Sequence, residues 1–297
     1  MTTPKAGTTD QVAGVEKTLE ESKDDSKSLP SQTPSHKYPS SHKRNAFSEL
    51  MSSKPKQPKP EPQPKRAAQS TTRFNPHDPK SGLLPYITSP ESFPSSRVIT
   101  YTANTVLIHD LYPKATIHLL LLPRDQTKYD LHPRDAFADT PFLSLIRTEA
   151  ASALQLASSE LRRLLSPKSA LDGARNAAMD SPAPPSTLPP GRDYASEFRV
   201  GVHAHPSMNH LHVHIISRDM HSPALKHKKH YNSFNTDFFI PLADLPLAED
   251  DQRRSTSYQN ANLNKDFVCW KCGEGFGNKF AQLKRHLEIE YEDWRRE

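Results

Sequence analysis

Three histidines alternate with apolar residues in the stretch His210-Leu211-His212-Val213-His214-Ile215-Ile216. In an extended strand, a period of two puts the imidazoles on one face and Leu211, Val213 and Ile215 on the other. A strand that gives three same-face positions to the side chain titrating near neutrality is not selected for burial alone. Just upstream, Phe198-Arg199-Val200-Gly201-Val202-His203 alternates as well, with Val200 and Val202 opposite His203. Residues 204–209, which include Pro206 and Ser207, can reverse the chain between them. The expected product is a hairpin that carries His203, Ser207, His210, His212 and His214 to one pocket. One strand histidine is ordinarily a hydrogen-bonded structural residue, but an array calls for chemistry. A metal pair of the His-x-His type is one candidate. Against it, the array contains no cysteine, and its nearest downstream carboxylate is Asp219.

The pattern His-φ-His-φ-His-φ-φ, with φ apolar, resembles the signature of the histidine triad superfamily. The resemblance implies transfer or hydrolysis of nucleotides at the α-phosphate. His212, the middle histidine, would attack phosphorus to give a covalent nucleotidyl-imidazole that water then hydrolyses. Asp110 sits where such proteins carry an acid at a strand end, able to accept hydrogen bonds from both ribose hydroxyls.

Elements that could position this array are legible from composition and periodicity. Residues 1–82 are charged and rich in Pro, Ser and Lys, which predicts a disordered basic tail. Within it, Lys54, Lys56, Lys59, Lys65 and Arg66 form a tract that reads as a nuclear localisation signal, a DNA tether or a merely solvated tail. Phe47, Leu50 and Met51 would share one helical face as a docking motif. Order is expected from Leu83, with strands over 97–101, 105–109 and 117–122. A helix capped by Thr140, with Pro141 in its first turn, should run to Leu165. Its apolar face, Phe142, Leu145, Ile146, Leu154, Leu161 and Leu165, would cover the sheet. Residues 166–193 contain too many prolines and glycines for an element and read as a surface insertion. Strand, strand, strand, helix, strand, strand predicts an α+β class with an antiparallel sheet, consistent with the histidine triad fold, over residues 83–245.

The 297 residues carry a formal charge of +5 and 28 prolines, with a mean hydropathy of -0.76 and a pI near 9.0. The positive balance favours a polyanionic partner. The chain has no apolar run of about 18 residues, and residues 1–25 are polar, so a soluble intracellular protein without a membrane partner is expected.

The two cysteines, Cys269 and Cys272, form Cys-x-x-Cys, followed 13 residues later by His286 and then by Glu290. A bridge so short would staple little, and no thioredoxin-like βαβ pattern surrounds it. On a helix, positions 286 and 290 stack on one face. Two thiolates, an imidazole and a carboxylate make an acceptable tetrahedral set for one structural zinc, with Phe276, Phe280 and Leu283 as a small core. Residues 246–297 therefore read as a zinc-finger module. Glu290 stands where most fingers have histidine, with Glu288, Glu292 or water as substitutes.

A histidine triad domain followed by such a finger resembles the aprataxins, in particular fungal members lacking a forkhead-associated domain. The stretches that carry the likeness are Tyr112-Pro113-Lys114-Ala115, residues 203–214, Ser222-Pro223-Ala224-Leu225-Lys226, residues 230–236 and the finger set. The resemblance implies a nuclear hydrolase that removes AMP from adenylated DNA 5′ ends, or RNA-DNA ends, during single-strand break repair, without a catalytic metal. His212 would be the nucleophile. His214 and Ser207 would donate to the non-bridging oxygens, His203 would assist the leaving group as a cationic imidazole, and His210 would orient the array. Lys114 joins Asp110 at the nucleotide. Lys114, Lys226, His230, Lys279, Lys284 and Arg285 are candidate phosphate contacts, with charge added by Lys228 and Lys229, and a monomer on DNA is expected. Two other readings stay open. One is a hydrolase of adenosine phosphoramidates or dinucleoside polyphosphates; the other is a non-catalytic DNA-end-binding module.

Overall fold

The computed structural model of the protein describes residues 78–297. The basic tract and the Phe47 motif lie outside them. Among the described residues the α-helices are α1 (Leu84–Thr88), α2 (Pro133–Ala136), α3 (Thr140–Leu165), α4 (Ala170–Met179), α5 (Lys228–Asn235), α6 (Thr256–Asn264) and α7 (Phe280–Trp294). The strands are β1 (Val98–Tyr101), β2 (Thr105–His109), β3 (His118–Pro123), β4 (Phe198–His203), β5 (Val213–Ser217), β6 (Phe239–Pro241), β7 (Phe267–Val268) and β8 (Gly275–Gly277). β1 to β6 form one sheet in the order β1-β2-β3-β5-β4-β6, and its paired strands are antiparallel throughout. The α+β arrangement is the one the sequence predicts.

Alternation decides the two faces. Leu107, Leu119, Leu121, Val202, Val213 and Ile215 turn towards α3, where Phe142, Leu143, Ile146, Leu161 and Leu165 are buried with them. Each such fully buried Leu or Ile is worth about 2 kcal/mol. On the opposite face Leu83 and Ile87 of the N-terminal segment cover Val106, Ile108, Leu120 and Leu122. Beside them Ile216 and Phe239 pack with Tyr231 and Phe234 of α5 and with Phe267, Leu283 and Leu287 of the finger. Gly201 is required where β6 pairs alongside β4: a Cβ there would clash with the Ile240 carbonyl oxygen and lie 2.9 Å from the Phe239 ring.

Several boundaries differ from the sequence reading. Residues 79–81, assigned to the tail, form a short 3-10 turn capped by Asp78. They hold the loop before the triad: Asn209 Nδ2 donates to Asp78 Oδ2 at 2.9 Å and to Ser81 Oγ at 3.0 Å. The cap of α3 is Asp139, not Thr140, and accepts from the Phe142 amide at 3.1 Å. The insertion, read as lacking regular structure, contains α4. Ser169 caps it, and Asp172, buried on it, accepts from Tyr194 Oη at 2.7 Å and the Arg192 amide at 3.1 Å. Local helix signals thus prevail between Pro167 and the remaining prolines of the insertion, which fall after Met179. In the finger, α7 continues past Glu290 to Trp294.

Candidate active site and finger

His214 lies within β5, paired with Leu120 of β3 on one side and Gly201 of β4 on the other. His203 ends β4, and its ring centroid is 4.4 Å from that of His214. His212 precedes the ladder, and its ring is 4.9 Å from His214. Residues 210–212 therefore do not extend β5 as the alternation predicts. Their side chains and backbone are engaged locally: His212 Nδ1 meets the His210 carbonyl at 2.7 Å, and the Leu211 amide donates to the Tyr129 carbonyl at 2.7 Å. His210 turns away towards Asp130, with Nε2 at 3.2 Å from its carboxylate. Ser207 is exposed, on the loop after β4. The array is gathered as expected in His203, His212 and His214, while His210 and Ser207 stand to its side.

One residue of the site was not anticipated. His118, the first residue of β3, places Nε2 at 2.9 Å from His214 Nδ1. The only sequence signal was a histidine opening an otherwise apolar run. Phe234 of α5 closes the cluster, with its ring 5.3 Å from His118, 4.6 Å from His203 and 5.2 Å from His214.

Partners fix the tautomers. A carbonyl cannot donate, so His212 Nδ1 carries the proton, and its Nε2 keeps the lone pair. The Lys114 amide donates to His118 Nδ1 at 3.2 Å, a closer contact than the 3.5 Å to Asp110 Oδ2. His118 Nε2–H then donates to His214 Nδ1, which leaves the proton of His214 on Nε2. His214 Nε2 and His203 Nε2 are buried with no partner among the described residues, as is His210 Nδ1. Buried polar atoms without partners are costly, and a ligand with acceptor oxygens would satisfy a donor such as His214 Nε2–H.

Burial sets the charge state. Desolvation lowers the pKa of His118 to about 4, drives those of His203 and His214 well below the usual histidine value, and lowers that of His212. The free site is an array of neutral imidazoles, so the cationic His203 expected from the sequence is not its resting state. Asp110 accepts from the Tyr112 amide at 2.7 Å beside His118. The Lys114 ammonium, whose pKa desolvation lowers, donates to the Tyr112 carbonyl. The Asp110, His118 and His214 ligand atoms do lie within 4.8 Å of one another. Their facing nitrogens are nevertheless spent on a hydrogen bond, which uses the lone pair that a metal would need.

Beyond the cluster, Lys226 is exposed, and its amide donates to His230 Nδ1 at 3.2 Å. Lys229 is exposed, whereas Lys228 donates to Asn278 of the finger at 2.8 Å and lies 5.1 Å from the Phe267 ring. Lys279, Lys284 and Arg285 are exposed on the finger.

The ligand atoms of Cys269, Cys272, His286 and Glu290 lie within 4.8 Å of one another. Cys272 Sγ is 3.1 Å from His286 Nε2, which is 3.2 Å from Glu290 Oε1. Zinc bonds of 2.0–2.3 Å in a tetrahedron imply ligand edges of roughly 3.3–3.8 Å, a few tenths longer than these two contacts, so the donor set closes on the ion with a small outward shift of the imidazole's neighbours. Glu274 stands 3.4 Å from His286 Nδ1 and Lys271 3.3 Å from Glu290, an outer layer that orients the imidazole and balances the carboxylate. The finger is tied to the sheet domain through Tyr231, whose hydroxyl donates to the Val268 carbonyl at 2.9 Å and accepts from the Trp270 amide at 3.0 Å.

Residues 235–293 match the family model of the C2HE / C2H2 / C2HC zinc-binding finger, and residues 184–230 that described as scavenger mRNA decapping enzyme C-term binding. An aprataxin-like protein of Schizosaccharomyces pombe is 35% identical over 254 residues, which span 85% of this chain and 96% of that protein. One of Saccharomyces cerevisiae is 36% identical over 211 residues, 70% of this chain and 94% of that protein. The crystal structure of the aprataxin ortholog Hnt3 in complex with DNA superposes with a TM-score of 0.58 at 32% identity, covering 72% of this chain and 96% of that one. The chain belongs to the aprataxin-like family, with a histidine triad fold followed by a C2HE-type finger.

Proposed function

We propose that the protein hydrolyses the adenylate from DNA 5′ ends, or RNA-DNA 5′ ends, left by abortive ligation, through a covalent AMP-histidine intermediate in single-strand break repair. The observation that carries this reading is the tautomer of His212: with Nδ1–H bound to the His210 carbonyl, Nε2 offers a neutral lone pair. That nitrogen attacks the adenylate phosphorus, and the bond to the oxygen of the DNA 5′-phosphate breaks. Water then displaces His212 from phosphorus, releasing AMP. His214 Nε2–H donates to a non-bridging oxygen as charge builds, with Ser207 as a second donor when its loop closes on substrate. His203 becomes cationic only beside the bound anion and neutralises the departing phosphate. His210 orients the array, and Asp110 and Lys114 hold the nucleotide.

DNA, the partner in the solved complex of the related Hnt3, would be gripped by Lys226, His230, Lys284 and Arg285 through its phosphates, without sequence readout. Structural zinc on Cys269, Cys272, His286 and Glu290 would keep the finger folded. The protein would act in the nucleus as a monomer on DNA.

The test is single-turnover release of AMP from a 5′-adenylated nicked duplex, comparing the natural protein with His212→Ala and with diadenosine tetraphosphate as a parallel substrate. Release that disappears in His212→Ala, weakens steeply with salt and far outpaces dinucleotide cleavage is the expected result. A preference for the dinucleotide would replace DNA by a small nucleotide as the substrate. An active His212→Ala would remove the nucleophile assignment.

A further inference from the structure

The insertion between α3 and β4 has no part in the histidine chemistry, yet it touches the finger. Trp294, the last residue of α7, is 1% exposed and lies in the same cluster as the α3 core. Its Nε1–H donates to Glu197 Oε2 at 2.7 Å. Glu197 Oε1 accepts from Arg192 Nη2 at 2.8 Å and from Nε at 3.1 Å. The same guanidinium lies 5.0 Å from the Trp294 ring and donates from Nη1 to the Trp294 carbonyl at 2.6 Å. Just beyond, the Ala170 and Leu171 amides in the first turn of α4 donate to the carbonyls of Arg296 and Glu297 at 2.8 and 3.1 Å. The finger is thus held along its length: near its hairpin by the Tyr231 hydroxyl, along α7 by Leu283 and Leu287 packed with Ile216 and Phe239 and by His221, stacked on Tyr291 at 4.0 Å and 3.1 Å from Glu288, and at the far end of α7 by this clasp.

We infer that Arg192, Glu197 and Trp294 are positioning residues that fix the direction of the finger relative to the histidine cluster. They thereby set selectivity for DNA over small nucleotides. The inference rests on the function proposed above. With its far end freed, α7 can tilt about the His221–Tyr291 contact, and a tilt of about 10° moves Arg285, six positions away, by roughly 1.5 Å. A shift on that scale takes a phosphate contact of about 3 Å out of hydrogen-bond range and so weakens DNA binding without moving the reacting atoms. The exposed Lys284 and Arg285 sit on α7, so their register with a DNA end depends on how α7 is held, the clasp included. A mononucleotide or dinucleotide seated at the histidines needs neither. Arg192 and Glu197 are both largely buried, with 3% and 16% of their side chains exposed, which makes the pair geometrically fixed rather than a solvated surface contact.

The experiment compares Glu197→Gln and Trp294→Phe with the natural zinc-loaded protein. Glu197→Gln keeps the shape and removes the charge, while Trp294→Phe keeps an aromatic ring and removes the donor. Hydrogen exchange across residues 280–294 reads the attachment, and KM and kcat for AMP release from an adenylated nick read its consequence. Expected are about tenfold faster exchange in α7, a KM raised at least fivefold with kcat unchanged, unchanged dinucleotide cleavage and full zinc content. Unchanged exchange and KM in both variants would overturn the inference. So would an equal loss on the dinucleotide, because the clasp would then support the whole fold rather than the finger. If the natural protein released no AMP from DNA, the proposed function would fail and with it the claim about selectivity, while exchange would still decide whether the clasp holds α7.

Discussion

Replacing His118 by Phe tests the chain of hydrogen bonds that sets the tautomer of His214. Phe fills the volume and keeps the contact with Phe234, but removes both the acceptor for the Lys114 amide and the donor to His214 Nδ1. With nothing donating to Nδ1, His214 is free to carry its proton there, and Nε2 then faces the phosphate as a lone pair rather than a donor. The loss is that of one oxyanion donor, about 100-fold to 1,000-fold in the chemical step. Two buried groups also lose a partner, costing roughly 1–3 kcal/mol each in stability. The assay is single-turnover AMP release under saturating enzyme, where binding does not contribute, together with nitrogen NMR of labelled histidine to read the tautomer of His214 directly. A rate within about threefold of the natural protein, with His214 still protonated on Nε2, would refute the argument, since the tautomer would then be set by something other than His118.

Acid should destabilise the fold from an unusual source. Because burial lowers the folded-state pKa values of His118, His203, His212 and His214, the unfolded chain binds the extra protons, and stability is intact above the unfolded value and falls as pH drops below it. His118 alone, held near 4, costs about 2 kcal/mol by about pH 5, visible as a falling Tm; a Tm flat between about pH 7 and 5 would mean that these rings are charged in the fold. Gly201→Ala drives a methyl into the Ile240 carbonyl and should cost about 3 kcal/mol in denaturant unfolding while displacing His203; a neutral effect would mean that β6 moves aside freely. Chelation of the metal should unfold β7, β8 and much of α7, seen as lost helical circular dichroism, with dinucleotide cleavage affected less than AMP release from DNA.

How far the sequence carried depends on whether a feature is local. The triad, the Cys-Cys-His-Glu spacing and the alternation of β4 and β5 are short-range patterns; the spacing brings its four residues together and the triad brings His212 and His214 together, but His210, ahead of β5, turns to Asp130. His118 was lost because its role is a contact with His214, 96 positions along the chain, and nothing near position 118 signals that pairing. The same holds for Asn209, whose partners Asp78 and Ser81 lie in a segment of tail-like composition. The insertion failed for a different reason: prolines at 182–190 set the impression of the whole stretch, although Ser169 and the alanines after it spell an ordinary capped helix.

Charge was the other hidden quantity. The resemblance to the aprataxins implies a cationic leaving-group histidine at position 203. The fold instead surrounds it with Phe234, Phe238 and His214, and in that environment a positive ring is unfavourable until an anion arrives. A site of this kind answers to the charge of its substrate. Neutral imidazoles keep His212 nucleophilic, and the incoming phosphates supply the field that protonates His203 where the leaving oxygen needs it. The coupling makes a checkable demand: the pKa of His203 should rise when substrate is bound, so with His203 acting as the acid the alkaline limb of kcat should lie at higher pH than that of kcat/KM. In His203→Gln that displacement should vanish together with most of the rate, and a displacement that survived the substitution would assign the proton to another group.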